Sequence, residues 1–598
     1  MLCFLQRRRG LCAAAIALCT LWAGVCYRPF GGENTIFAGT ATLLALTGGF
    51  AAGFAAIPRM TRRSLAFALP VSALLGLCCG LGAQLQAHDS LAFTSSQALA
   101  CAGTWVGLTA LGTCLGSLVL TEGGKALERA EQTRLLQRLE RSRALSAPRV
   151  LLTAWLMIFL CWVPVWMAFF PGLANYDVES HLMQCQANAY TTLHPLLYTL
   201  LIKACMLAGN GTAMVAVLAG LQMLLLSFAA AHALGTARRL GAQAWLCLAG
   251  LLFCALLPTF PLLAISTTKD IPYTAFAVLT FSYLLRLTHE KAAFFRRPTN
   301  VVGLLLCALL MGLLRYNGVV SLALLGVALA IFLRGCRVRA CALIAGILAL
   351  TLAGTQALNA AFDVKKSFVP ERDMASLPSQ QLVRAALETA DETEKERVLS
   401  YYDERALQRY VPQLADYTKM YLDVSQGRGW RDYLLFWAQT VLRHPRAYIE
   451  AFLQLCRGLW FPDDQSYANI YPADIPLFGY LTNNQNTYDW YPIETYDWLP
   501  RLKAWYNRVT TENTFLKVPL LSGFFSTAWH WWAALLLFLL ACYRRDRSGA
   551  LAALWPLSAV VVLAAAPAVL ARYLLPVFLI NPSLLAYVLR PRDQILSR

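Results

Sequence analysis

With 58% hydrophobic and only 14% charged side chains over 598 residues, the chain carries little more than half the charge of an ordinary soluble domain. Its apolar residues come in blocks near the roughly 20 needed to cross a bilayer, which marks an all-α polytopic membrane protein and excludes a soluble globular one. The net charge of +18 sits in short basic clusters between those blocks, the pattern of cytoplasmic loops, so no nucleic-acid partner is expected.

Arg7, Arg8 and Arg9 precede an apolar run from Leu11 to Val25. The run resembles a secretory signal, but no A-x-A site follows and Ala23–Gly24–Val25–Cys26 is a poor lipoprotein site, so it reads as an uncleaved first span. With the N-terminus inside, the expected spans are Leu11–Arg28, Ile36–Ile57, Leu65–Leu85, Ala98–Leu120 and Val150–Phe170. Thr212–Leu234, Ala244–Leu263, Ile271–Leu287, Val301–Leu314, Gly318–Leu333 and Val338–Leu358 follow. Phe524–Cys542, Ala550–Leu570 and Tyr573–Leu589 complete about 14 crossings. Most basic clusters, among them Arg59–Arg62–Arg63, Arg334–Arg337–Arg339 and Arg544–Arg545–Arg547, then share one side.

These spans divide the chain. Residues 1–120 form an N-terminal four-helix unit, and 121–149, rich in Leu, Glu and Arg, predict an amphipathic helix on the cytoplasmic surface. Residues 150–359 are the main transmembrane core, 360–517 an α-rich soluble domain on the outer side, and 518–598 the last three spans. The later part of the outer domain, from "WFPDDQSYANIY" to "YDWLP", suits an aromatic surface near headgroups or sugar. Tyr and Trp also gather at membrane interfaces for no functional reason. Most of the 18 cysteines lie inside spans as small hydrophobes; Cys185 and Cys456 lie outside and are either a disulfide or two free thiols.

The stretch "NYDVESHLMQCQANAYTTLHPLLYTLL" follows the fifth span and opens the first outer loop of the core. Asp177, Glu179 and His181 lie near its start. His194–Pro195 begins Leu196–Leu207, an apolar segment interrupted by Lys203 and too short to cross, which reads as an interfacial or re-entrant helix. The next outer turns carry Lys269–Asp270 in "ISTTKDIPY", Arg315 and Asn317 in "LLRYNGVV", and Arg572–Tyr573 in "RYLLPV". Charges beside hydrocarbon are costly and tend to be functional. Each alone is better read as a solvated loop charge; together they put acids and bases on the one face where a lipid phosphate would lie.

The ordered series "FPG…YD…HPLLYT…KD…RYNG…RYLLPV" resembles the GT-C superfamily of polytopic glycosyltransferases, and within it a bacterial group known only as a domain of unknown function. The resemblance runs from about Val150 to the C-terminus. It implies a GT-C-like core, location in a bacterial plasma membrane with the site on the outer face, and transfer of a sugar from a polyprenyl-phosphate donor to an envelope glycan, lipid or protein. Asp177, Glu179 and Asp270 are then the catalytic candidates, with Asp177 as general base. Arg572, Arg315, Lys269, His194 and Tyr573 would hold the donor phosphate, since guanidinium meets phosphate as a planar fork. Lys269 could instead pair with Asp270, and His194 could cap a helix. His181, Asn317, Asp463 and Asp464 are candidate acceptor contacts. The usual D-x-D is D-x-E here, so a divalent cation (Mg or Mn) on Asp177 and Glu179 is an open expectation; the two share a face only in an extended segment.

Three other readings compete. A transporter or flippase of a lipid-linked sugar would place its charges near the bilayer midplane. An acyl- or phosphoethanolamine-type transferase needs a nucleophile or metal cluster that the sequence does not display. A non-catalytic envelope scaffold requires neither.

Overall fold

Apolar runs far from water close their own backbone hydrogen bonds, and the chain accordingly folds as helices joined by short turns. The computed structural model describes residues 2–27, 35–174, 177–315, 317–367, 369–389, 391–424, 429–464, 491–511, 522–564, 566–591 and 595. Among these, extended structure is confined to isolated bridges. Among the described residues seven helices are long and apolar enough to cross a membrane, and six shorter apolar ones have 10–17 residues. The chain divides into two compact units: Met1–Gln137, Ser376–Ser466 and Phe515–Trp529 form the first, and Arg138–Ala375, Tyr467–Thr514 and His530–Arg598 the second.

The first unit contains α1 (Arg9–Cys26), α2 (Thr35–Ala56), α3 (Arg62–His88) and α4 (Ser95–Glu131). Small residues let these helices pack closely, as is usual in lipid: Gly80 lies against Cys101, and Gly53 against Ala13 and Ile16. The expected helix over 121–149 is divided: the first part continues the 37-residue α4, and a short separate helix, Arg134–Glu140, follows. Nothing in "LGSLVLTEGGKALERAE" breaks the helix, so the fourth span runs on through Glu131. The turn between α3 and α4 meets the soluble segment. Asp89 accepts from Arg384 Nη1 at 3.0 Å, while Glu450 accepts from Arg384 Nη2 at 2.8 Å and from Leu91 N at 2.6 Å. The expected 360–517 domain is shared out, with 376–466 and 515–517 in the first unit and 360–375 and 467–514 in the second. Most of its aromatic stretch, residues 465–490, lies outside the described residues.

The second unit begins with α5 (Val150–Ala168), α6 (Asp177–Ala187), α7 (Leu196–Met206) and α8 (Gly211–Arg239). It continues through α9 (Ala244–Leu256), α10 (Thr259–Ala264), α11 (Asp270–Glu290), α12 (Pro298–Leu314), α13 (Asn317–Phe332) and α14 (Arg337–Ala361). Its last helices are α15 (Thr527–Tyr543, which starts in the first unit), α16 (Arg547–Leu563) and α17 (Ala571–Val588). Two expected spans are broken. Ala244–Leu263 divides at Leu257–Pro258 into α9 and α10, and Ala550–Leu570 stops at Leu563 ahead of Pro567, whose ring disfavours helix in the residue before it. At 11 residues α7 is about 16 Å long, roughly half the hydrocarbon thickness.

Candidate active site

The site lies in the second unit, where the loop ends of several helices meet. Leu173 N donates to Ile265 O and Thr267 N to Leu173 O, both at 2.9 Å, so the segment leading to α6 is bonded to the one leading to α11. Gly172 allows that approach. Its φ is +143°, and a Cβ there would stand 2.9 Å from Ile265 O and 3.0 Å from the Ala219 side chain. Gln222 of α8, 2% exposed, donates to Ser266 O at 2.7 Å and to Ala264 O at 3.2 Å. Its Oε1 accepts from the Tyr198 hydroxyl at 3.3 Å. One buried amide therefore ties α7 and α8 to the segment before α11.

The two segments deliver Asp177 and the adjacent Lys269–Asp270. Lys269 pairs with Asp177 at 3.3 Å and donates to His194 Nδ1 at 2.9 Å. The expected Lys269–Asp270 pair is not formed: consecutive residues at a helix start point about 100° apart. Asp270, 1% exposed, instead meets Arg315 at 2.6 Å and Arg572 at 3.4 Å. Thr268 Oγ1 donates at 3.2 Å to Oδ2, the oxygen that also meets Arg572. Tyr573 lies between the guanidiniums of Arg315 and Arg572, 4.3 and 5.1 Å from its ring centre. Among the described residues, three cations thus face two carboxylates, an excess of one positive charge in a largely buried site.

Electrostatics fix the protonation states. Burial pushes the Asp177 carboxyl up, but the charges of Lys269 and Arg572 outweigh it and hold the group well below the usual carboxylate range. His194 is lowered to about 4 by burial and by Lys269, so it is a neutral acceptor with its proton on Nε2. Between that value and the ordinary 6.5 the unfolded chain binds the extra proton, so the stability from neutral His194 is complete above pH 6.5 and is lost as pH falls toward 4. The His194→Gln protein should therefore lose less Tm than wild type between pH 7 and pH 5. Equal losses would mean that His194 titrates as it does in the unfolded chain.

Other expected residues are placed differently. Helix α6 begins at Asp177, so Asp177 and Glu179 are about 200° apart around the helix and do not form a chelating pair. Glu179 instead lines a separate open cavity of about 420 Å³ with Ser180, Met183, Gln184, Thr191 and Leu193. No group of three or more His, Cys, Asp or Glu suited to a metal occurs among the described residues. The residues present thus do not fit a D-x-E cation site.

His181 is fully buried, bonded through Nδ1 to Thr199 Oγ1 at 2.8 Å and 4.5 Å from the His194 ring, so it supports His194 rather than facing an acceptor. Pro195, not His194, is the N-cap of α7. Asn317 opens α13 and lines a narrow crevice with Tyr273, Arg315, Tyr573 and Trp555. Asp463 and Asp464 belong to the first unit, where Asp464 accepts from Arg457 at 2.7 Å. Cys185 and Cys456 are free thiols. Sequence reasoning missed Gln222, Tyr198 and Thr199. Gln222 was detectable as the one amide in the apolar run Thr212–Leu234.

A family model described as "Family of unknown function (DUF6020)" matches residues 181–596, over two thirds of the chain. The matched stretch includes His194, Lys269, Asp270, Arg315 and Arg572 and begins four residues after Asp177. Neither the curated proteins nor the solved structures yield a match.

Proposed function

The chain belongs to this family of unknown function, DUF6020, and from its own site we propose that it is a membrane glycosyltransferase moving a sugar from a polyprenyl-phosphate donor to an extracytoplasmic acceptor in a bacterial envelope. The supporting observation is the buried cluster of Lys269, Arg315 and Arg572 around Asp177 and Asp270, with its single surplus positive charge. A sugar phosphate diester carries the one negative charge that balances it. The leaving polyprenyl phosphate gains a second, and preorganised cations stabilise that gain in the transition state.

In the proposed reaction the acceptor hydroxyl oxygen bonds to the anomeric carbon as the bond from that carbon to the phosphate oxygen breaks. The electron pair leaves with the phosphate, and the hydroxyl proton passes to Asp177. A strongly acidic carboxyl suffices because the hydroxyl becomes far more acidic as its new bond forms through an oxocarbenium-like state. Lys269 orients Asp177 until then. Asp270 holds the forks of Arg315 and Arg572 for the phosphate. These charges lie at helix ends, among them the starts of α6, α11 and α17, which favours transfer at one face over a midplane transport site.

Arg572→Lys tests the donor assignment. A membrane anchor needs only positive charge, whereas a forked phosphate contact loses a hydrogen bond. The expected result is a fall in kcat/KM for the lipid donor of about 5- to 150-fold, equal to ~1–3 kcal/mol. Wild-type kinetics would make Arg572 an anchor and leave the phosphate to Arg315.

A further inference from the structure

The first unit holds an apolar groove that the proposed reaction does not use. It has a volume of about 330 Å³ and is lined by Ile16, Ile57, Met60, Leu69, Trp105 and Cys114, among other side chains. That is within the ~300–1,000 Å³ range of small-ligand sites. Leu69, Trp105 and Val106 are 46, 43 and 40% exposed along it, while Ile57 and Cys114 form its buried floor at 1% each. Thr113 also lines it, 8% exposed, and its hydroxyl has no hydrogen-bond partner among the described residues.

Cations crowd one end. Arg59, Arg62 and Arg63 alternate with the lining residues Ile57, Met60 and Leu65. Arg9 reaches the same corner: its Nε donates to Phe54 O at 2.6 Å and its guanidinium lies 3.5 Å from the Phe54 ring centre. The start of the 27-residue α3 adds partial positive charge there. Glu122 lies 4.0 Å from Arg59 and 3.2 Å from Lys125, and Arg59 Nη1 also donates to Ala55 O at 2.7 Å.

We propose that this groove is a binding site for an anionic phospholipid of the cytoplasmic leaflet, with its acyl chain along Trp105 and Leu69 and its phosphate among Arg59, Arg62 and Arg63. Charge complementarity selects that occupant, because a purely apolar chain would gain nothing from the arginine end and a zwitterionic headgroup gains little net attraction. The positive-inside distribution puts the arginine end in the cytoplasm. The site stands whether or not the chain transfers sugar.

The test uses the full-length protein in nanodiscs, with phosphatidylglycerol or phosphatidylcholine of identical brominated acyl chains as probes. Bromine quenches nearby tryptophan, and the signal of Trp105 is obtained by difference from Trp105→Phe. Phosphatidylglycerol at low mole fraction should quench the Trp105 signal, and phosphatidylcholine at the same fraction should not. The triple variant Arg59→Gln, Arg62→Gln, Arg63→Gln should need on the order of a hundredfold more phosphatidylglycerol for the same quenching, at about fivefold per arginine. Exposed arginine-to-glutamine changes leave the helical core untouched, and circular dichroism checks that the variant is folded. Equal quenching by both lipids, or a triple variant that behaves as wild type, would mean bulk lipid only and overturn the proposal.

Discussion

In the Asp177→Asn protein, the proposed sugar transfer should fall by about 10²–10⁴-fold, the usual contribution of a positioned general base, while insertion and fold persist. Asparagine has the same shape and still accepts from Lys269, which also keeps its contact with His194. It cannot take up the hydroxyl proton. The loss should therefore appear in kcat, with little change in donor KM, because the proton moves only in the transition state. Steady-state kinetics on the purified variant with a short-chain donor measure both constants. Retained turnover removes Asp177 as base and moves the role to Glu179, whose separate cavity has room for an acceptor.

Asp270→Asn is expected to act on the fold first. Asp270 is 1% exposed and serves two guanidiniums, 13 and 7% exposed, so neutralising it leaves Arg315 and Arg572 buried with no counter-charge from that position. Breaking a buried pair from one side typically costs about 3–5 kcal/mol, whereas removing both partners can be close to neutral. Asp270→Asn should thus lower the Tm in detergent substantially, and adding Arg315→Met should recover much of the loss. An unchanged Tm in the single variant would show that the cluster is solvated and that Asp270 is free to take part in chemistry.

The sequence identifies the ionisable members of this site because charge next to hydrocarbon is costly. Asp177, His194, Lys269, Asp270, Arg315 and Arg572 stand out against apolar surroundings and are brought together. Their pairing is not legible. Whether Lys269 meets Asp270 or Asp177 depends on where α11 begins, and a shift of one residue rotates each side chain by about 100°. The relation of Asp177 to Glu179 likewise depends on whether the chain is helical at Asp177, which two residues before a polar stretch do not reveal. Span ends are misread where proline interrupts an apolar run, as at Pro258 and Pro567. Composition cannot separate α4 from its continuation to Glu131, because "LERAE" suits a helix in lipid headgroups and one in water equally well.

The central claim is that this site cleaves the bond between a sugar and a polyprenyl phosphate. Proteoliposomes loaded with a mixture of polyprenyl-phosphate sugars, carrying wild-type or Asp177→Asn protein and incubated with envelope acceptor, test it by mass analysis of the lipid fraction. Wild type should release free polyprenyl phosphate as one sugar appears on the acceptor, and Asp177→Asn should release none. Every lipid-linked sugar remaining intact while one of them crosses between leaflets would contradict it and identify a transporter instead.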